Sequence, residues 1–230
     1  MIRSLEMEIL DGPTVPESVV RRAHRELTYT NLVLGNIRAI VSAIRRDRGP
    51  VRRVLDIGCG SGGLLLELRR RLNVEVIGVD LRPPSTRDLP FAIVQADATR
   101  DRLPEADVAI CVLMAHHLDE QELIGLIRNA ERSCRRLVLL DLVRSRVPLL
   151  LFRALLAPFL GPVNAADGVA SIRRAYTAAE FASIAARAMA GTDALVAHTI
   201  APLKIRQVVD IRYCHRHRAL SSVSCGPTTT

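Results

Sequence analysis

Val54-Leu55-Asp56-Ile57-Gly58-Cys59-Gly60-Ser61-Gly62-Gly63 runs straight into Leu64-Leu65-Leu66-Glu67-Leu68-Arg69-Arg70-Arg71-Leu72. A short apolar strand, a glycine cluster and a helical pattern follow one another without a break. A parallel α/β sheet uses this arrangement to turn backbone N–H groups toward a nucleotide-like ligand. Gly58, Gly60 and Gly63 satisfy the G-x-G-x-x-G spacing of a dinucleotide site, so glycines alone do not select the ligand. Asp56 does. It ends the strand two positions before the first glycine, where a carboxylate would repel a pyrophosphate and favour a ligand carrying an ammonium and a sulfonium.

That charge preference points to S-adenosylmethionine. The run LDIGCGSG also resembles the E/D-x-G-x-G-x-G motif that closes the first strand of class I methyltransferases. The resemblance covers Val51 to Leu142 closely and the rest in layout. It implies a Rossmann-like α/β fold: a mostly parallel seven-stranded sheet with an antiparallel C-terminal hairpin and helices on both faces. It also implies that Asp56, Gly58, Cys59, Gly60 and Gly62 cradle the cofactor. A second acid, Asp80, ends the strand Val74 to Asp80 and lies 80 − 58 = 22 positions past the first glycine, where it can accept from both ribose hydroxyls. Asp97 follows the strand Phe91 to Ala96, and in the family an acid there meets the adenine amino group. Leu81 and Ala98, next to these acids, complete the expected adenosine contacts.

The 230 residues suit one domain, and 49% apolar content with a mean hydropathy of +0.18 fits a buried sheet. The net charge of +8 suggests an anionic partner, but 31 of the 32 basic residues are arginine, with Lys204 the one lysine. They spread along the whole chain, and aromatic residues for base stacking make up 3%, so the charge reads as solvated surface and nucleic acid is disfavoured. The five cysteines show no paired spacing, which argues against a zinc site or a disulfide framework; no metal is expected. The acids Glu6 and Glu8 stand where an export signal would need apolar residues, so a cytoplasmic location is expected.

Residues 1–48 read as a helical cap, with Leu27, Val33, Leu34, Ile37, Ile40, Val41 and Ile44 at helical spacing, ended by Gly49-Pro50. Strands alternate with helices from Val51 to Leu142, which predicts right-handed parallel crossovers. Thr177-Ala178-Ala179-Glu180 is a capping box opening a helix, and two late strands follow near residues 194–200 and 204–213. The apolar run Val147 to Leu160 is shorter than the ~20 residues of a membrane span and is broken by Arg153 and Pro158. Within an insertion over residues 147–172 it reads as a buried helix or as a lid over an apolar substrate, with an interfacial helix that collects a lipophilic substrate from a membrane as a third reading. Residues 214–230 form a basic tail rich in Ser and Thr; Cys214, His215 and His217 there lack a fourth partner for a metal.

The chemistry is expected at His116-His117, where the fourth strand, Asp107 to Leu113, ends. Methyl transfer from a sulfonium is an in-line displacement that needs alignment and, for a hydroxyl acceptor, loss of one proton, which histidine can take near neutrality. The segment AHHLDEQELIGLIRNA resembles the H-D-W-x-D segment and helix of phenolic O-methyltransferases. That likeness implies His116 as the base and His117 as its support, although the family's aspartate and tryptophan are here His117 and Leu118. Asp141, Arg144, Arg146, Tyr29 and Asn31 are weaker candidates. The expected function is methylation of a small, fairly apolar acceptor, a phenolic or quinonoid hydroxyl of secondary metabolism. The rivals are an RNA methyltransferase and a cofactor-binding partner protein without turnover.

Overall fold

The computed structural model of the chain describes residues 1–4, 6–12, 15–83 and 89–214. Seven strands form one sheet: β1 Arg53–Ile57, β2 Glu75–Asp80, β3 Ile93–Gln95, β4 Val108–Val112, β5 Arg136–Asp141, β6 Leu195–Ile200 and β7 Gln207–Arg212. Their order is β3-β2-β1-β4-β5-β7-β6, with β7 antiparallel to both β5 and β6 and the other pairings parallel. The chain winds outward from β1 to β3 and returns to β4 on the other side of β1. Such a reversal opens a crevice at the carboxyl ends of the two central strands.

The central strands β1, β4 and β5 are near-continuous apolar runs because both faces of the sheet are covered there, whereas the edge strand β6 is largely exposed. Val54, Val108, Ile110, Val138 and Leu140 pack against helices α2 (Asn36–Arg45) and α3 (Gly63–Leu72). Leu55, Ile57, Ala109, Cys111, Leu137 and Leu139 face the opposite layer, α4 (Glu120–Glu131) and a helix at Ala178–Ala188. The two-residue period of the strands sorts alternate side chains to these two layers. Asp119 and Glu122 form a capping box at the start of α4, and the expected box of Thr177 and Glu180 opens the later helix.

Three expectations change in detail. The N-terminal cap is two helices, α1 (Glu17–Val33) and α2, because Gly35 takes a left-handed φ of 71° that no continuing helix tolerates. The third strand shrinks to three residues. The run from Val147 to Leu160 is a broken path: a helix α5 at Arg146–Leu151, a π turn at Phe152–Leu156 and a 3₁₀ turn at Ala157–Phe159, with Leu150, Leu155 and Phe159 exposed. Helix α6 (Pro162–Arg174) follows, and the helix at Ala178–Ala188 is then α7. The expected tail beyond Cys214 lies outside the described residues. No described helix is long and apolar enough to cross a membrane.

One buried cation ties the layers together. Arg136, at the start of β5, is 2% exposed and donates to both carboxylate oxygens of Asp210 at 2.8 and 2.6 Å, to Asp47 at 3.2 Å and to the Ala43 carbonyl at 2.9 Å. Burial alone would raise the pKa of Asp47, but Arg135, Arg136 and Arg212 outweigh it and hold the carboxyl below its usual range. A lowered carboxylate pKa stabilises the fold above the unfolded value, near pH 4, and that stabilisation is lost as pH falls through the folded value. Replacing Arg136 with Met should cost about 3 kcal/mol, since it strands buried carboxylates. Urea unfolding at pH 7 measures the loss, and Asp47→Asn should flatten the decline of stability below pH 4; an unchanged acid limb would refute the linkage.

Candidate active site

The turn after β1 is built on left-handed backbone: Gly58, Gly60 and Gly62 have φ of 75°, 52° and 75°. A Cβ at Gly58 would come within 2.6 Å of the Met114 side chain, so both conformation and space demand glycine there. The turn is pinned to β2. Gly58 and Cys59 donate their N–H groups to the Val79 carbonyl at 2.8 and 3.2 Å, and Gly60 N–H donates to the Asp80 carboxylate at 2.8 Å. Asp80 also accepts from Arg82 N–H at 2.9 Å.

Asp56 is 2% exposed, and among the described residues no hydrogen bond or ion pair engages its carboxyl, which opens on a cavity of about 250 Å³. Burial, then the charge of Asp80, pushes its pKa well above the usual carboxylate range. A buried acid held in this state is relieved by a cation, the charge that an ammonium and a sulfonium bring. The residues present therefore fit S-adenosylmethionine. Cys59, beside it, stays a neutral thiol because burial and both acids push its pKa up. His24, from α1, lies over Gly60; burial lowers its pKa against the pull of Asp80, so it is uncharged near neutrality.

Asp56, Gly58, Cys59 and Gly60 share the cavity with His116 and His117. Gly62, which caps α3, Asp80, Leu81, Asp97 and Ala98 lie along the adjoining strand ends, outside the cavity wall. Asp97 accepts from Thr99 N–H and Oγ1 at 3.0 and 2.6 Å and from Arg100 at 2.6 Å; the Thr99 bonds, against burial, lower its pKa, with Arg100 adding to them. Leu81 is 57% exposed, while Ala98 is buried and its carbonyl accepts from Asn129 at 3.0 Å.

His116 is 2% exposed and sits in a 3₁₀ turn at Ala115–His117, after a left-handed Leu113 (φ 54°) at the end of β4. Backbone held there by a branched residue costs about 1–3 kcal/mol, and such strain gathers at functional sites. Asp141, at the end of the neighbouring β5, accepts from His116 Nδ1 at 2.7 Å and from its N–H at 2.8 Å. Its Nε2 lies 3.5 Å from Glu8, whose carboxylate is also 3.7 Å from His117 Nε2. Burial would lower the pKa of His116, but Asp141 and then Glu8 outweigh it and push the value up to about 9. The same contacts with His116 and His117 overcome burial to lower the pKa of Glu8.

Sequence reading singled out the glycine turn, both histidines and the run that contains Phe152, but missed Glu8 and Ser171 among the cavity walls. Glu8 carried a signal, an acid inside the apolar Met7-Glu8-Ile9-Leu10, yet nothing local brings it to His116. Asn31 lines the cavity as anticipated, whereas Tyr29 is 67% exposed and does not. Arg144 is buried and its Nη2 donates to the Glu180 carboxylate at 2.6 Å, while its Nε and Nη1 have no hydrogen-bond partner among the described residues.

Residues 54–136 match the methyltransferase domain family. Indolepyruvate C-methyltransferase of Streptomyces griseus is 31% identical over 116 residues, which cover 42% of this chain and 35% of that protein. The chain thus aligns with about a third of its curated relative. Among solved structures, the plantazolicin methyltransferase BpumL, in complex with a monoazolic desmethylPZN analogue and S-adenosylhomocysteine, superposes with a TM-score of 0.62 at 13% identity, covering 83% of this chain and 90% of that one. The methyltransferase domain of bacterial CtHen1-C gives 0.59 at 17% identity over 80% and 99% of the two chains. The mitomycin 7-O-methyltransferase MmcR gives 0.54 at 16% identity over 77% and 54%. These likenesses are of fold.

Asp56→Asn removes the charge and keeps the shape. It is expected to weaken S-adenosylmethionine binding by about tenfold to a hundredfold, the worth of ~1.5–3 kcal/mol for a hydrogen bond to a charged group. Isothermal calorimetry checks this, and an unchanged Kd would remove Asp56 from the cofactor site.

Proposed function

We infer, from the class I S-adenosylmethionine-dependent methyltransferase domain that this chain carries, that it methylates a small, fairly apolar acceptor through an oxygen that must lose its proton. The observation that carries this reading is the shared cavity. The glycine turn with Asp56 forms one wall, His116, held from behind by Asp141, forms another with Glu8 and His117, and Leu27, Leu34, Leu142, Phe152 and Ile172 supply apolar surface.

S-adenosylmethionine, when bound, supplies an electrophilic methyl group on a sulfonium. The chain's own work is then to align and to manage one proton. Asp141 holds the His116 ring so that Nδ1 donates to it and Nε2 faces the cavity, the geometry of an oriented general base. His117 stands beside it, the ring centroids 4.3 Å apart, and both face Glu8.

A phenolic or quinonoid hydroxyl is the acceptor we favour, because an aromatic ring suits the apolar walls and its oxygen suits the histidine. The enol of an aromatic 2-oxo acid is the second, supported by the relative that methylates indolepyruvate at carbon. Either must first lose a proton from oxygen, the phenol then reacting at oxygen and the enolate at carbon. An RNA acceptor draws support from the fold likeness to the small RNA methyltransferase HEN1 and from the net charge of +8. Incubation with labelled S-adenosylmethionine, simple phenols, indolepyruvate and RNA separates these acceptors, and label found in RNA alone would overturn the small-molecule reading.

His116→Ala should lower turnover at least about a hundredfold while S-adenosylmethionine affinity holds. Turnover equal to that of the parent protein would refute the assignment. A base held at a pKa of about 9 is largely protonated at pH 7, so turnover should climb with pH up to about 9 and level off above it.

A further inference from the structure

Glu8 and His116 are 116 − 8 = 108 residues apart in the chain, yet their side chains meet His117 at the floor of the cavity. One ligand atom from each of the three lies within 4.8 Å of the others. The separations of Glu8 Oε1 from the two Nε2 atoms, 3.5 and 3.7 Å, are long for hydrogen bonds. They are close to the ~3.4 Å that separates two ligands of a tetrahedral ion bound at about 2.1 Å.

The groups behind the cluster are those that prepare such ligands. Asp141 accepts from Nδ1 of His116 at 2.7 Å, which orients the ring so that Nε2 points away from Asp141 toward Glu8 and offers its lone pair once a cation displaces the proton, the carboxylate–histidine arrangement found behind metal-bound imidazoles. Ser171 Oγ donates to Glu8 Oε1 at 2.7 Å and orients the carboxylate. Asp141 is 2% and Glu8 8% exposed, so both are held in place by packing. Two imidazole nitrogens and one carboxylate oxygen suit a first-row divalent transition ion, and three protein ligands leave coordination positions open toward the cavity.

We propose that Glu8, His116 and His117 bind one divalent transition cation that receives the acceptor's oxygen. Binding rests on this geometry, and the role in the reaction rests on the methyl-transfer reading above. On coordination the acceptor oxygen releases its proton to solvent. The bond from methyl carbon to sulfur then breaks, its electron pair staying on sulfur, while an electron pair of the acceptor's oxygen or enolate carbon forms the new bond. In the loaded protein His116 is a ligand; free of metal, it is the base. The expectation of no metal followed from cysteine spacing and the tail histidines, neither of which involves this cluster.

The test is a titration of the chelator-treated full chain with Co²⁺, followed by visible absorption and calorimetry. One Co²⁺ per chain is expected. Glu8→Gln and His117→Ala should each raise its Kd by tenfold or more; His117 is partly exposed, so its variant is expected to fold, which a melting curve verifies. No binding at high micromolar Co²⁺, or binding that persists unweakened in both variants as tail histidines would give, overturns the proposal. Equal turnover of the metal-free and loaded proteins overturns it as well. Stoichiometric binding that both variants weaken, with no methyl transferred to any acceptor, would instead uphold the cation site and refute the methyl-transfer reading.

Discussion

The pairing of β1 with β4 is the constraint from which the site follows. Asp56 lies in register with Ile110 and Ile57 with Cys111, so the two strands end side by side. One strand delivers the glycine turn and the other the histidines, at the point where the winding of the sheet reverses. Neither segment would meet the other if the chain added β4 at the outer edge beyond β3. Covered faces fix that register, because a slip of one residue would turn Val54 and Leu55 toward the wrong layers.

Around this crevice the charges are sorted in a way that the net value of +8 conceals. Asp56, Asp80, Asp141 and Glu8 gather at the carboxyl edge of the sheet, while arginines serve the scaffold. Arg136 joins β5 to β7 through Asp210 and to the end of α2 through Ala43, and Arg135 bridges Asp47 and Asp107. Arg3 donates to the Leu118 carbonyl at 2.8 Å and covers the Tyr176 ring at 3.9 Å, which draws the N-terminal segment over the histidine turn. That segment carries Glu8. In the cavity wall itself the acids are Asp56 and Glu8, the latter facing His116 and His117, so Asp56 is the carboxyl that remains open to a cationic cofactor.

The Glu8–His116–Asp141 chain also explains why burying these groups is tolerated. An isolated charge at 2% exposure would be costly, but each member here is paired on both sides. Ser171 satisfies Glu8, and the N–H groups of His116 and Leu142 satisfy Asp141. Asp56 is the contrast: among the described residues its carboxyl has no such partner, and it is left for the ligand.

The sequence by itself determined the strands, the glycine turn and the three acids at successive strand ends, because each rests on local chemistry: an apolar run, a left-handed turn, a residue two places before a glycine. The same holds for the capping box at Thr177, whose partner is three residues away; the like box at Asp119 emerged with the structure. Gly35 was visible too, but whether it ends a helix depends on how α1 and α2 pack. The apolar run from Val147 to Leu160 read as one helix or lid, since hydrophobicity does not disclose which residues face outward; packing broke it and turned only Phe152 to the cavity. Only the tertiary structure joined Glu8 and Ser171 to His116, and Asp141 to its ring, because these contacts span from 25 to 163 residues of chain and depend on strand order and on where the N-terminal segment is tied. Local pattern wrote the glycine turn into consecutive residues, whereas the cavity beside it exists only where distant segments converge.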